Sequence, residues 1–239
     1  MNIKTKAIVL DKITWKESSY IATLMTDKLG IIKAIVQGAK KPKSKFFAHF
    51  ELGNILEIII IKKETTNLSK IIDSCLIDSR EQVNNSYEHL LSLQITLEVY
   101  AQLYITEDEA DIFFDLLYSF INFLPLAKAN HLLINWRLLI KLTEYLGFPI
   151  VYYINNKYEF ADPVEIKKNS PETLNNIHKW LQILPNTSQY IKQENILDKS
   201  ARDMNLFILD WFTIHLHKKL KMNAVSFYED YIGKNLFIP

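Results

Sequence analysis

Lys40, Lys41, Lys43 and Lys45 place four ammonium groups within six positions of the stretch GAKKPKSKFF, residues 38–47. Gly38 opens the stretch, Pro42 breaks it, and Phe46 and Phe47 close it. Lysines track phosphates as flexible point charges, and aromatic rings offer flat faces on which bases stack. The same residue types also have plainer uses. Lysines guard exposed strand edges, and two phenylalanines can equally plug the end of a barrel.

No other cluster carries obvious chemistry. Five glycines form neither GxGxxG nor GxxxxGK[ST], so no phosphate-cradling loop is present. The six histidines are scattered, and His215 and His217, two apart on an expected helix, point to different sides and would not share a metal. Glu107, Asp108, Glu109 and Asp111 crowd the first turn of an expected helix, where anions complement the dipole. Cys75 is the one cysteine, which excludes an intrachain disulfide and any multi-cysteine zinc site. It lies in an expected strand with no base beside it and reads as a buried small hydrophobe. The expectation is a binding protein, not an enzyme.

Charge adds direction. Residues 1–80 hold 14 Lys+Arg against 8 Asp+Glu, net +6, while residues 81–239 hold 14 against 19, net −5. A basic amino-terminal half favours a polyanion such as nucleic acid. The longest apolar run, around Ile58–Ile61, is too short to span a bilayer, and MNIKTKAIVLDK regains charge too soon for a signal peptide. A reduced, cytoplasmic, soluble protein is expected.

The elements that must position the lysines change period near residue 80. Lys6–Trp15, Tyr20–Thr26, Ile31–Val36, Asn54–Ile61 and Leu68–Ile77 read as five strands, with Asp11-Lys12 a bend or bulge and Asp27–Gly30 a hairpin turn. Five short strands without an intervening helix suggest a small closed barrel. The oligonucleotide/oligosaccharide-binding (OB) type is the commonest, and the pattern alone also fits an SH3-like barrel.

Beyond Arg80 helical spacing takes over. Leu90, Leu93, Leu97, Ala101 and Tyr104 form one apolar face. Thr106–Glu109 matches a capping box for a helix burying Ile112, Phe113, Leu116, Leu117, Phe120 and Leu124 and stopping at Pro125. Leu132, Trp136, Leu139, Ile140 and Thr143 share a third face, ended by Gly147 and Pro149. Ser170-Pro171 starts a helix with Leu174, Ile177, Trp180 and Leu181. A last helix carries Met204, Phe207, Ile208, Trp211 and His215. Val151–Ile154 and Lys157–Phe160 read as a hairpin around Asn155-Asn156. The fold class is therefore α+β: an OB-type barrel over 1–80, then a mostly helical domain over 81–239 with a hairpin inserted near 151–161.

In this context the basic loop joins the third and fourth strands at one mouth of the barrel. The chain resembles the RecO family of bacterial recombination mediators at several places in order. AIVLDKITWKESSYIATLMTDKLG (7–30) resembles the family's opening, with its Glu-Ser pair at Glu17-Ser18. GAKKPKS (38–44) resembles its Gly-Ala-Arg-[Arg/Lys]-x-x-Ser loop, and FELGNILEI (50–58) takes the place of the strand that follows. Tyr104–Phe120 resembles its second-helix region. WRLLIKLTEYLGF (136–148) is similar to its helix ending in Leu-Gly-Tyr, and HKKLKMNAVSFYE (217–229) to its Lys-x-Leu-Lys-Ser segment.

The resemblance implies an OB barrel and a helical domain that bind single- and double-stranded DNA, anneal complementary strands, and work with RecR and single-strand-binding protein to load RecA recombinase. It also implies a cytoplasmic, nucleoid-associated bacterial setting. It places DNA contacts on Lys40, Lys41, Lys43 and Lys45, beside Phe46 and Phe47. Arg137 and Lys141 become candidates for holding the acidic C-terminal tail of single-strand-binding protein, with a plain surface ion pair as the alternative for Arg137. Many members carry a four-cysteine zinc motif after the Leu-Gly-Tyr helix end. Here residues 151–163 contain no cysteine, so no zinc and no cofactor are expected, and Tyr152, Tyr153, Tyr158 and Phe160 would hold the hairpin. The competing expectation is an adaptor that does not bind DNA, with a barrel for a peptide or subunit and an acidic helical docking domain.

Overall fold

Strand-period alternation resolves into five strands in the computed structural model, which describes residues 2–62, 68–80, 83, 86–126, 131–154, 157–160, 172, 175, 177 and 199–224. They are β1 (Asn2–Trp15), β2 (Ser19–Thr26), β3 (Gly30–Val36), β4 (Ile55–Ile61) and β5 (Leu68–Asp78). β1 pairs antiparallel with β2 and β4, β2 with β3, and β4 with β5, while β3 meets β5 in parallel. The result is a closed barrel in the order β1-β2-β3-β5-β4, as expected of an OB-type fold. The bend at Asp11 is a register shift between Val9 and Asp11, and Gly30 closes the β2–β3 turn at φ +67°.

Inside the barrel, Ala7, Val9, Ala22, Leu24, Ala34, Val36, Leu56, Ile58, Ile60 and Ile71 are buried together. The small residues Ala22 and Ala34, paired across β2 and β3, leave room that the β3–β4 loop fills with Phe46 and Phe50, their rings edge-to-face at 6.2 Å. The outer face of β1 is also apolar. Ile8, Leu10, Met25 and Ile55 are fully buried without belonging to the interior cluster.

Helices explain this second buried face. α1 (Tyr87–Tyr100) packs on β1, and α2 (Ala110–Phe123) on β2 and β3. Met1–Phe123 therefore forms one compact unit and Leu124–Pro239 a second. The expected boundary near 79–82 marks the end of the barrel, but the barrel's own unit extends through two helices. Tyr100, fully buried, donates its hydroxyl to the Phe113 carbonyl at 3.3 Å and ties α1 to α2. Burial without a charged partner holds its phenol well above the usual tyrosine range.

Several expected details change. α1 buries Leu91, Leu93, Ile95, Leu97, Val99 and Tyr100, whereas Leu90 is exposed and Tyr104 lies beyond the helix, 87% exposed. The expected apolar stripe is thus out of phase, because this helix is buried broadly and has no single marked apolar face. In α2, Ile112 is exposed and Phe114 takes an inward place. The capping box does not form. A 3₁₀ turn, Glu107–Glu109, precedes α2, and the Thr106 hydroxyl donates to Glu109 Oε2 at 3.4 Å instead of capping the backbone. Cys75 is exposed: β3 pairs with β5 only at Leu68–Lys70, so the far end of β5 projects past that partner.

The second unit contains α3 (His131–Tyr145), a hairpin of β6 (Val151–Ile154) and β7 (Lys157–Phe160), and α4 (Lys199–His215). Gly147, at φ +83°, ends α3 in a Schellman arrangement: Phe148 N–H reaches the Thr143 carbonyl at 3.0 Å and Gly147 N–H the Glu144 carbonyl at 3.2 Å. Trp136 donates to Asn205 Oδ1 across the packed pair α3 and α4, and Trp211 donates to the Phe148 carbonyl at 2.9 Å. His215 ends α4 stacked on Phe148 at 4.9 Å, and His217 falls outside the helix at φ +51°. Ile177 is buried. Ser170, Pro171, Leu174, Trp180 and Leu181 lie outside the described residues, as do the side chains of Tyr152, Tyr153, Tyr158 and Phe160.

Candidate nucleic-acid interface

The loop from Gln37 to Asn54 is a chain of tight turns. Successive backbone bonds run from Lys41 N–H to the Gly38 carbonyl (3.1 Å), Ser44 to Lys41 (2.8 Å), Phe47 to Ser44 (3.0 Å) and His49 to Phe46 (3.2 Å). Gly38 enters at φ +70°, a conformation that glycine takes at no steric cost. At its far end the loop is anchored by buried Asn54, whose amide donates to the carbonyls of Ala48 (3.2 Å) and His49 (3.0 Å) and accepts from Arg80 N–H (3.3 Å). Gly53 N–H then rejoins β1 at the Val9 carbonyl, 2.8 Å away, beside the bulge. Turn chemistry, an anchoring amide and an aromatic plug thus make the basic loop a built surface.

Its near end is stitched to the β1–β2 turn. Lys40 N–H donates to the Ser18 carbonyl at 3.1 Å, and Gly38 N–H to Ser19 Oγ at 3.3 Å. An open groove runs between these segments, lined by Lys16, Glu17, Ser18, Ser19, Gln37, Gly38 and Lys41. Lys41 and Lys43 are exposed, and Lys40 is half-buried with its ammonium 5.4 Å from the centre of the Tyr20 ring. Lys12 approaches the same ring at 5.2 Å and pairs with Glu51 at 2.5 Å. Among the described residues, Lys16, Lys40, Lys41 and Lys43 form no ion pair.

The four loop lysines are therefore not one cluster. Lys45 turns to β5, where its ammonium bonds Asp73 Oδ1 at 2.8 Å and the Ile72 carbonyl at 3.0 Å. That hydrogen bond and charge hold the Asp73 carboxyl below its ordinary range, helped by Ser74 N–H. Lys16, Lys12 and Tyr20 join the surface although they lie outside the basic run. Their sequence signal is their position, since they flank a hairpin turn that closes next to Gly38.

The two phenylalanines separate. Phe46 is 8% exposed and packs in the barrel core against Phe50, which corrects its assignment as a DNA-stacking residue: its face is spent on plugging the barrel. Phe47, the next residue, is 52% exposed.

In the second unit Arg137 and Lys141 lie one turn apart on the exposed face of α3. Lys141 is engaged by its own chain: Glu144 pairs with it at 2.6 Å, raising its pKa, and its ammonium sits 5.2 Å from the Tyr145 ring centre. An incoming carboxylate would have to displace Glu144 there. Among the described residues no group of three His, Cys, Asp or Glu side chains is placed to hold a metal ion, and no helix is long and apolar enough to cross a membrane.

Comparison with known proteins agrees with this geometry. Residues 1–80, the barrel with its loop, match the family model "Recombination protein O N terminal". The chain is 32% identical over 146 residues to DNA repair protein RecO of Chloroherpeton thalassium, covering 61% of this chain and 56% of that protein. It is 27% identical over 197 residues to the protein of the same name from Chlorobium phaeobacteroides, covering 82% and 75%. The counterpart from Prosthecochloris aestuarii is 28% identical over 148 residues, covering 62% and 56%. In the first and third cases the match spans little more than half of the relative's length. The whole barrel is thus matched by that family's amino-terminal model, and similarity to proteins named DNA repair protein RecO continues into the helices beyond it.

Proposed function

We propose that this chain is a DNA repair and recombination mediator, non-enzymatic, which binds DNA along the barrel's basic loop and anneals complementary strands. The observation that carries the reading is the groove that Lys16 and Lys41 both line, together with Glu17, with Lys40 and Lys43 on the same loop as Lys41 and none of the four lysines committed to an ion pair among the described residues. Annealing requires that repulsion between strands be screened while base edges stay free to pair, and contacts made mostly to phosphate satisfy both. In this reading recombinase is loaded on single strands coated by single-strand-binding protein, with RecR as a further partner.

The helical unit serves this reading as the docking side. Residues 127–239 carry 14 Lys+Arg against 11 Asp+Glu, a balance that suits the acidic tail of single-strand-binding protein. Arg137 and Lys141 are the candidate holders of that tail's carboxylates, and at Lys141 the tail would exchange with Glu144.

The test is a salt series with a labelled single-stranded oligonucleotide. Replacing Lys40, Lys41 and Lys43 together by alanine should flatten the slope of log affinity against log salt by about two, at roughly 0.7 per phosphate contact. An unchanged slope would remove the loop from the mechanism. The adaptor reading draws on Ile13 and Trp15, exposed on β1 at 55% and 42%, and negligible oligonucleotide binding at low salt would favour it.

A further inference from the structure

Phe47 is an exposed phenylalanine fixed beside a buried one, and it lines a cleft. The other walls include Tyr20, Lys40, Ala48 and Glu51, with Phe46 and Phe50 beneath. We propose that this cleft receives one unpaired nucleobase, stacked against the aromatic walls of Tyr20 and Phe47, while Lys40 meets its phosphate. The inference rests on the DNA-binding reading above and deepens it: the barrel then takes single strands in preference to duplex.

Three features point to this occupant. First, two rings from different elements, the start of β2 and the β3–β4 loop, line a single opening, and aromatic faces bind bases without regard to sequence. Second, the opening is cationic: the ammonium groups of Lys40 and Lys12 lie within 5.4 and 5.2 Å of the Tyr20 ring centre, so a flat group entering here arrives beside positive charge. An apolar peptide side chain would gain nothing from that charge, and a nucleotide does. Third, the cleft holds both kinds of polar partner for a base edge. Glu51 offers carboxylate oxygens, and Lys40 offers N–H groups. Bases inside a duplex have their faces already stacked, so only an unpaired base can enter.

The loop geometry supports a preformed slot. Phe47 N–H is bonded to the Ser44 carbonyl, and the Phe46 plug holds the adjacent residue in the core, so the Phe47 backbone is fixed before ligand arrives. That lowers the ordering cost of stacking.

The experiment compares the full chain on an oligothymidine strand and on an abasic strand of equal length and charge. The base-bearing strand should bind about 5- to 100-fold more tightly, the worth of one stacked base. Phe47→Ala should erase most of that difference while leaving abasic affinity and the salt slope as they were, and Phe47→Trp, which keeps a flat face, should restore it. Equal wild-type affinity for both strands, with the salt slope intact, would overturn the slot and leave the phosphate-binding reading standing. Equal losses on both strands from Phe47→Ala would also overturn the slot. Failure of the wild type to bind either strand would overturn both readings.

Discussion

Lys45 and Asp73 carry a decision that residue types alone could not make. Of the four lysines in the loop, Lys45 is the one that pairs with a carboxylate among the described residues, 2.8 Å away on β5. Asp73 has its pKa lowered by Lys45 from an ordinary 3.8, so it binds protons less readily folded than unfolded. The stabilisation it contributes is therefore fully present above the unfolded value and is lost as pH falls through the folded one. Both side chains are more than half exposed, so the effect is small. Asp73→Asn is expected to lower stability at neutral pH, with the gap to wild type closing as acid is added below about pH 4; denaturant titrations at several pH values check it. The same substitution releases an ammonium toward DNA, so the salt slope should steepen by about 0.7. A slope that does not steepen would mean that Lys45 never meets phosphate. The residues 46 and 47 hold a parallel lesson: both are phenylalanine, and the course of the loop's turns, not the residue type, sends Phe46 into the core and leaves Phe47 exposed.

Elements were legible in the sequence wherever one face decided them. All five strands fall close to their expected limits, because alternation and turn residues are local signals, and the stop of α3 at Gly147 was legible for the same reason. What was not legible depended on what lies on the other side. The phase of α1 was hidden because that helix is buried on most of its circumference, and Cys75 was misjudged because strand pairing along β5 ends at Lys70 on the β3 side. The docking of α1 and α2 on the barrel was written only in the outward apolar residues Ile8 and Leu10, which break the alternation of β1. Two glycines test this distinction between local turn and packed junction. Gly30 and Gly38 have nearly the same φ, +67° and +70°, so alanine at either carries the left-handed penalty of about 1–2 kcal/mol. At Gly38 a new Cβ would meet nothing within 4 Å. At Gly30 it would stand 2.0 Å from the Ile105 carbonyl oxygen, where the α1–α2 connection receives the Ile31 N–H. Gly30→Ala should therefore cost several kcal/mol more than Gly38→Ala, roughly 3 or beyond, read from urea midpoints. Similar costs would mean that the connection gives way freely and the helices are weakly seated.

At the scale of the whole molecule, charge and packing divide the chain at different places. The −5 of residues 81–239 is not spread through the helical part: residues 81–126 contain 8 Asp+Glu and no Lys or Arg, and the rest is positive. That acidic segment forms the helices packed on the basic barrel, so residues 1–126 together are net −2 although their loop face is cationic. Phosphates respond to charges within about a Debye length of 8–10 Å, and the lysines of the loop, not the sum over the unit, should govern binding. Two shortened chains separate these ideas. A chain ending at 126 keeps α1 and α2 over Ile8, Leu10, Met25 and Ile55, keeps Asn122 beside the buried Arg80 guanidinium at 3.4 Å, and is expected to melt cooperatively with the salt slope of the full protein. A chain ending at 80 has the more favourable net charge, +6, yet uncovers that apolar face and should aggregate or bind a hydrophobic dye. If the shorter chain melts as sharply and binds oligonucleotide as well as the longer one, the helices are not part of the barrel's fold. Bulk charge, not a built loop, would then be what attracts DNA.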